Sequence, residues 1–307
     1  MKLEYNLLWL DNDLKEYIEN GDVESIKEFL IELGFEPNIV TVFDEAELDK
    51  HLDISYDLII SDFNLNKENG DVVIYRLREE KKLDTEILFY SAKSNFLEDT
   101  AVKERLAFME RINIQIGRDS LLNKIEKVIE LTVKRLLEIN ATRGLITSAT
   151  SDLDVVIEGI ILHLIYNQLK LNDKEIDEII NFYVEDFLKK SPDFFLKKYK
   201  EVGFQNWFPR IEASRKWNIF RDLLKKIDNE DVKTFLIQNK AYCKEVIDIR
   251  NKFAHAKSEL VGGKLVLRGQ YGQENFEFDN EACIKIRHNL INHKKQIEGL
   301  KNILEKL

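Results

Sequence analysis

The feature that most constrains this chain is a rhythm in its first third, where short apolar runs alternate with amphipathic stretches. Tyr5-Asn6-Leu7-Leu8-Trp9-Leu10 stops at Asp11-Asn12-Asp13, and Tyr56-Asp57-Leu58-Ile59-Ile60-Ser61 stops at Asp62. Asn38 to Phe43, Glu86 to Tyr90 (ending at Ser91-Ala92) and Ile112 to Ile116 are three further runs of this kind. Near-continuous apolar runs suit strands covered on both faces, as in a parallel sheet. The stretches between them read as helices. One reaches about Gly34 with a break at Asn20-Gly21-Asp22, a short one covers Glu45 to Leu52, one opens at Asn69-Gly70 and runs to about Lys82, and one runs to about Glu110. The alternation predicts an open, doubly wound α/β sheet of five parallel strands, with ligands beyond the carboxyl ends of the strands. Asp11, Asp62 and Ser91 all fall at such ends.

Two carboxylates converging with an amide and a hydroxyl make an oxygen-rich pocket of the kind Mg²⁺ accepts, and a carboxylate can itself accept a phosphoryl group. With these residues in place, positions 1 to about 122 resemble the receiver domain of two-component response regulators. Asp62, followed by Phe63-Asn64-Leu65 and by Gly70 eight residues on, matches the phosphoacceptor motif. The resemblance implies Asp62 as phosphoacceptor and Ser91 of Ser91-Ala92 as the hydroxyl that senses the phosphoryl group. It implies a Mg²⁺ site drawn from Asp11, Asn12, Asp13, Asp62 and the backbone carbonyl of Asn64, and a sensor histidine kinase or another phosphodonor as partner. Two positions depart from the family. Asn12 stands where a second acid is usual, with Asp13 next to it. Gly117-Arg118-Asp119 stands where a lysine is usual, which makes Arg118 the cation nearest that position in sequence. The alternative is a degenerate receiver used for dimerisation or docking.

At 307 residues the chain is long enough for a second domain. Hydrophobic content of 44%, charged content of 33% and only three prolines predict that the remainder is helix-rich and soluble. The net charge of −10 argues against a generally basic nucleic-acid surface and leaves room for a local basic groove. Cys243 and Cys283 lack metal-ligand spacing, which with the absence of a signal-like start predicts a cytoplasmic chain. The most apolar stretch, Val155 to Ile165, is too short to span a bilayer, so no membrane partner is expected. The expected division is residues 1–122, a long connecting helix over 123–166 belonging to the second domain, and a helical domain over 167–307. In the continuous version of the connection the last helix of the first domain runs on, with a kink near Gly144. The alternative is two helices joined around Thr142-Arg143-Gly144.

Apolar residues recur at helical spacing over Asn172–Lys190, Ile211–Ile227, Asp231–Ala254 and Glu281–Leu307. Asp173 and Asp279 are plausible starts, and Ser191-Pro192 and Phe208-Pro209 plausible stops. Trp207, Phe208, Trp217 and Phe220 are expected in the core, and Lys264–Arg268 with Asn275–Phe278 reads as a small β-hairpin. His163 reads as a core or interface histidine. His288 and His293, in the basic run Lys285 to Lys295, read as a solvated helix face, and Lys189, Lys190, Lys197, Lys198 and Lys200 form a second basic cluster.

Arg250-Asn251-Lys252-Phe253-Ala254-His255 closes the third helical stretch. Asn251 and His255 are i,i+4 neighbours, and the Arg250 fork can swing towards them. A guanidinium beside an imidazole suits phosphate-ester chemistry, one holding oxygens and the other moving a proton. The plainer reading is an Arg and a His at a frayed helix end. This motif in a helical setting resembles the HEPN superfamily, over roughly residues 123 to 307. The resemblance implies an all-α HEPN-like domain in a homodimer that joins two motifs into one metal-independent, cofactor-free ribonuclease site. It implies that His255 handles the proton of the 2′-hydroxyl or the leaving 5′-oxygen, that Arg250 stabilises charge on the phosphorane, and that Asn251 orients one of them. RNA is then the substrate, in bacterial signalling or anti-phage defence. The competing reading is a non-enzymatic response regulator whose helical domain mediates dimerisation and partner binding.

Overall fold

The computed structural model describes residues 3–52, 54–81, 83–92, 98–107, 109–179, 203, 205, 208–255, 257–261, 264–268 and 276–307. These fall into two compact units, Met1–Thr142 and Arg143–Leu307.

The first unit is a five-stranded parallel sheet in the order β2-β1-β3-β4-β5. Its strands are β1 (Glu4–Leu10), β2 (Glu36–Val42), β3 (Leu58–Asp62), β4 (Glu86–Ser91) and β5 (Ile112–Ile116). This is the flavodoxin-like doubly wound order, which the expected receiver (CheY-like) fold shares. The helices are α1 (Leu14–Glu19), α2 (Asp22–Glu32), α3 (Gly70–Lys81), α4 (Thr100–Ala107) and α5 (Leu121–Leu136), with a 3₁₀ segment at Glu45–His51. The break between α1 and α2 falls where Asn20-Gly21 predicts it, with Gly21 in the left-handed region at φ +80°. β1 and β3 are buried on both faces, as their apolar runs require. Leu8, Leu10, Ile59, Ile87 and Phe89 share a core with Val73, Ile74 and Leu77 of α3.

α5 packs against β4, β5 and α2 through Leu121, Ile125, Val128, Ile129 and Val133. The connection differs from both sequence readings. The helix stops at Leu137-Glu138, and a new helix, α6 (Ile139–His163), runs unbroken through Thr142-Arg143-Gly144.

The second unit contains the rest of α6, a π-helical turn at Leu164–Gln168, and helical residues 173–179. It continues with α7 (Ala213–Leu224), α8 (Glu230–Gln238), a second π-helical turn at Cys243–Ile247, α9 (Asp248–His255) and α10 (Asn280–Leu304). Phe208, Trp217 and Phe220 are buried, as expected. Asp279 caps α10 by accepting from the Ala282 N–H at 2.8 Å. The 173–179 helix is capped by Asn172 rather than Asp173, its side chain accepting from the N–H groups of Lys174 (3.0 Å) and Glu175 (3.1 Å). The stretch expected as one helix over Asp231–Ala254 is divided, because the Asn239 amide turns back to the Phe235 carbonyl at 3.0 Å and ends α8.

The expected hairpin forms as β7 (Lys264–Arg268) and β8 (Phe276–Phe278), and β6 (Lys257–Val261) adds a third antiparallel strand. The residues between Arg268 and Phe276, the Ser191-Pro192 stop, the Lys189–Lys200 cluster and Trp207 lie outside the described residues. Among the described residues, no helix is long and apolar enough to cross a membrane, and Cys243 and Cys283 are free thiols.

Candidate functional site

The strand register fixes the first site. Trp9 pairs with Ile60 and Leu10 with Ser61, while Asp62 pairs with Tyr90. One step past the end of β1, Asp11 therefore joins Asp62 and Tyr90 in a single row at the carboxyl end of three adjacent strands. Asp11 is 1% exposed and Asp62 9%. Burial first, and then the neighbouring Asp11 carboxylate, push the Asp62 carboxyl up to about 6. Burial also raises Asp11. Two carboxylates sharing a low-dielectric corner with too little positive charge behave this way.

Asp11 has no spare partners within the fold. One of its oxygens accepts the Asp13 backbone N–H at 2.6 Å, and the other accepts the phenol of Tyr90. That phenol oxygen in turn accepts the Trp9 indole N–H at 3.0 Å. Ser91, 1% exposed, accepts the Asn64 side-chain amide at 3.1 Å, so the hydroxyl at the end of β4 touches the loop that follows Asp62. The Asn12 side chain lies 3.3 Å from the Asn64 carbonyl. With its amide turned the other way it serves the Phe43 carbonyl and the Asn66 N–H instead.

Arg118 is a surface cation on the α1 side. It donates to Asp13 at 3.0 Å and to Glu16 at 3.1 Å, with its guanidinium 5.8 Å from the centre of the Tyr17 ring. Asp13 is thereby committed to an ion pair with its side chain 64% exposed, and Asn12 brings no charge. Of the five positions expected at a cation site, Asp11, Asp62 and the Asn64 carbonyl remain as donors. Among the described residues no group of three or more His, Cys, Asp or Glu side chains is arranged to hold a metal. Two carboxylates and a carbonyl nevertheless suit Mg²⁺, which takes one or two carboxylates and keeps several waters. The raised Asp62 pKa marks the uncompensated charge that such a cation would neutralise.

The second site lies on α9. Arg250, half-buried, donates through Nε (3.3 Å) and a terminal nitrogen (3.0 Å) to the Asn251 side-chain oxygen. His255 is the last residue of α9, so positions 251 and 255 share one helix face. Phe253 on the same helix meets Phe276 and Phe278 edge-on, at 6.1 and 5.6 Å between ring centres, which seats the small sheet beside the motif.

The sequence offers no sign of the neighbours that gather on the α6 side. The Asp154 carboxyl is raised by burial, against the pull of Lys216 and Arg250. Lys216, 4% exposed, bonds to the Glu158 carboxylate and to the Pro209 carbonyl, the latter at 3.0 Å. His163 is half-buried on α6.

The basic run on α10 is only in part the solvated face expected. Lys285, His288 and Lys295 are exposed, while Arg287 and His293 are buried. The His293 ring bridges Asn239 at 2.8 Å and Glu245 at 2.9 Å, joining three segments of the helical core.

No protein-family model and no curated protein matches the chain. Among solved structures it is similar to the signal receiver domain of an HD domain-containing protein from Pseudomonas fluorescens Pf-5 (13% identity, 43% of this chain and 96% of that one, TM-score 0.33). It is also similar to the chemotaxis response regulator CheY4 of Vibrio cholerae (19% identity, 41% and 98%, TM-score 0.31). A third likeness is to the RcsB response regulator of Salmonella typhimurium (15% identity, 74% and 95%, TM-score 0.33). These likenesses are low, and the strand order of the first unit is the flavodoxin-like one that receivers share.

Proposed function

We propose that the chain is a response-regulator-like effector in which a receiver domain controls an RNA-cleaving, HEPN-like helical domain. The observation that carries the receiver half is the buried Asp11–Asp62 pair at the end of the sheet, with Asp62 left short of positive charge. In this reading an Asp62 oxygen attacks the phosphorus of a phosphodonor, either a sensor histidine kinase or a small acyl phosphate, and the donor's leaving group departs. Mg²⁺ held by Asp11, Asp62 and the Asn64 carbonyl supplies charge neutralisation when bound. The Ser91 hydroxyl, now on Asn64, is positioned to turn to the phosphoryl oxygens. Arg118 adds positive charge from the side of α1, where Asp13 and Glu16 hold it.

The ribonuclease half rests on the Arg250–Asn251 hydrogen bonds on α9, with His255 one turn further on. Two copies in a homodimer form the site. Arg250 steadies charge on the phosphorane, His255 transfers the proton of the 2′-hydroxyl or the leaving 5′-oxygen, and Asn251 orients the guanidinium. No metal is needed for this chemistry. The test is incubation of total RNA with the full chain in EDTA, with and without prior phosphodonor treatment, beside Arg250→Ala and His255→Ala. Cleavage by the wild type that both variants lose supports the enzyme.

A second reading, a non-enzymatic regulator whose helical domain binds a partner, is favoured by one observation. Arg250 is already engaged by Asn251 and lies in the field of Asp154. Intact RNA under every condition of the same assay supports that reading.

A further inference from the structure

Tyr90 does not behave as a core aromatic. It is 1% exposed, and its ring lies edge-on to Tyr17 at 6.2 Å. Its only donor is spent on Asp11, the carboxylate that the receiver reading assigns to a cation. Trp9 Nε1 donates to the phenol oxygen, which makes the O–H a stronger donor to Asp11. The other Asp11 oxygen is held by the Asp13 N–H. The position where the family places a second acid is the neutral Asn12, so the second carboxylate for a cation comes from Asp62 and not from the residue next to Asp11. The ring row joins this network to Arg118, since Trp9 lies 4.9 Å from Tyr17 and Tyr17 lies under the guanidinium.

We propose that Tyr90 is an internal competitor for Asp11, a phenol that occupies the carboxylate until a divalent cation displaces it, and that it sets the cation affinity of the pocket. This rests on the reading of Asp11 and Asp62 as a cation and phosphoryl site. A buried hydrogen bond to a charged carboxylate is strong enough to weaken cation binding about tenfold. Displacing the phenol also moves a group in direct contact with the Trp9 indole. Cation uptake is therefore readable in the tryptophan emission that Trp9 contributes.

The test titrates Mg²⁺ into the full chain by calorimetry, with emission recorded in parallel, for the wild type, Tyr90→Phe and Asp11→Asn. The expected result is Mg²⁺ binding about tenfold tighter in Tyr90→Phe, which keeps the ring and loses only the donor. Emission of the wild type should change along its binding curve, and Asp11→Asn should show neither heat nor emission change. Trp9→Phe, which removes the indole donor and leaves the phenol, should bind with intermediate affinity, and it serves as the second variant should Tyr90→Phe not fold. Equal or weaker binding in Tyr90→Phe overturns the competition and leaves the cation site standing. No binding by either the wild type or Tyr90→Phe overturns the cation site along with it.

Discussion

The α-carbon of Gly70 lies against the backbone of Asp62. A β-carbon there would run into the Asp62 carbonyl oxygen and come within 2.7 Å of the Ser61 hydroxyl. The Gly70 N–H bonds to the Phe63 carbonyl at 2.8 Å, closing the loop that follows Asp62. The requirement is for space, since the φ of Gly70 is not in the left-handed region. Gly70→Ala should therefore cost about 1–3 kcal/mol, as overpacking against groups that cannot yield does. Urea denaturation checks it. The loss should be accompanied by a shift in the Asp62 environment, whereas Gly21→Ala, with nothing within 4 Å to meet, should show only the cost of its positive φ.

Asp62 makes stability depend on pH in an unusual direction for a carboxylate. Its folded pKa, about 6, lies above the ordinary value of 3.8, so its contribution is complete below the ordinary value and is lost as pH rises through about 6. Asp62→Asn should be more stable than the wild type at pH 7.5, by ~2 kcal/mol after allowing for solvent screening. The gap should close towards pH 4. Denaturation midpoints of the two proteins across this range give the comparison, and a constant gap would assign the effect to packing.

His293 ties together the end of α8, the Cys243–Ile247 turn and α10, its two ring nitrogens lying 2.8 Å from Asn239 and 2.9 Å from Glu245. Burial lowers its proton affinity and the Glu245 carboxylate opposes that. His293→Leu leaves both partners without the ring and should destabilise the chain by about 2–4 kcal/mol, measured by thermal or urea unfolding. His288→Leu, on the exposed side of the same helix, should change it by less than ~0.5 kcal/mol.

The sheet was legible in the sequence because an apolar run that halts at Asp11 or Asp62 carries both a period and an end point. Gly70 was legible through its spacing of eight from Asp62, and Ser91 through its place in Ser91-Ala92 at the end of the fourth apolar run. What was not legible depends on register or on packing between distant segments. Tyr90 looks like one more apolar strand residue until strand pairing sets it in the same row as Asp11. Arg118 is a lone cation in sequence, and only the return of α1 brings Asp13 and Glu16 to it. The break at Leu137-Glu138 is hidden because apolar residues recur at helical spacing on both sides of it. His293 sits in a run of charges that resembles a wet surface, and its partners Asn239 and Glu245 are about fifty residues away. β6 was missed because Lys257-Ser258-Glu259-Leu260-Val261 is short and half polar, and its pairing with β7 supplies what its composition lacks.

The measurement that bears most directly on the receiver-controlled account is the intact mass of the full chain after exposure to a small acyl-phosphate donor and Mg²⁺, beside Asp62→Asn. The account predicts a gain of one phosphoryl group in the wild type and none in the variant. An unchanged wild-type mass, or a gain that persists in Asp62→Asn, would contradict it.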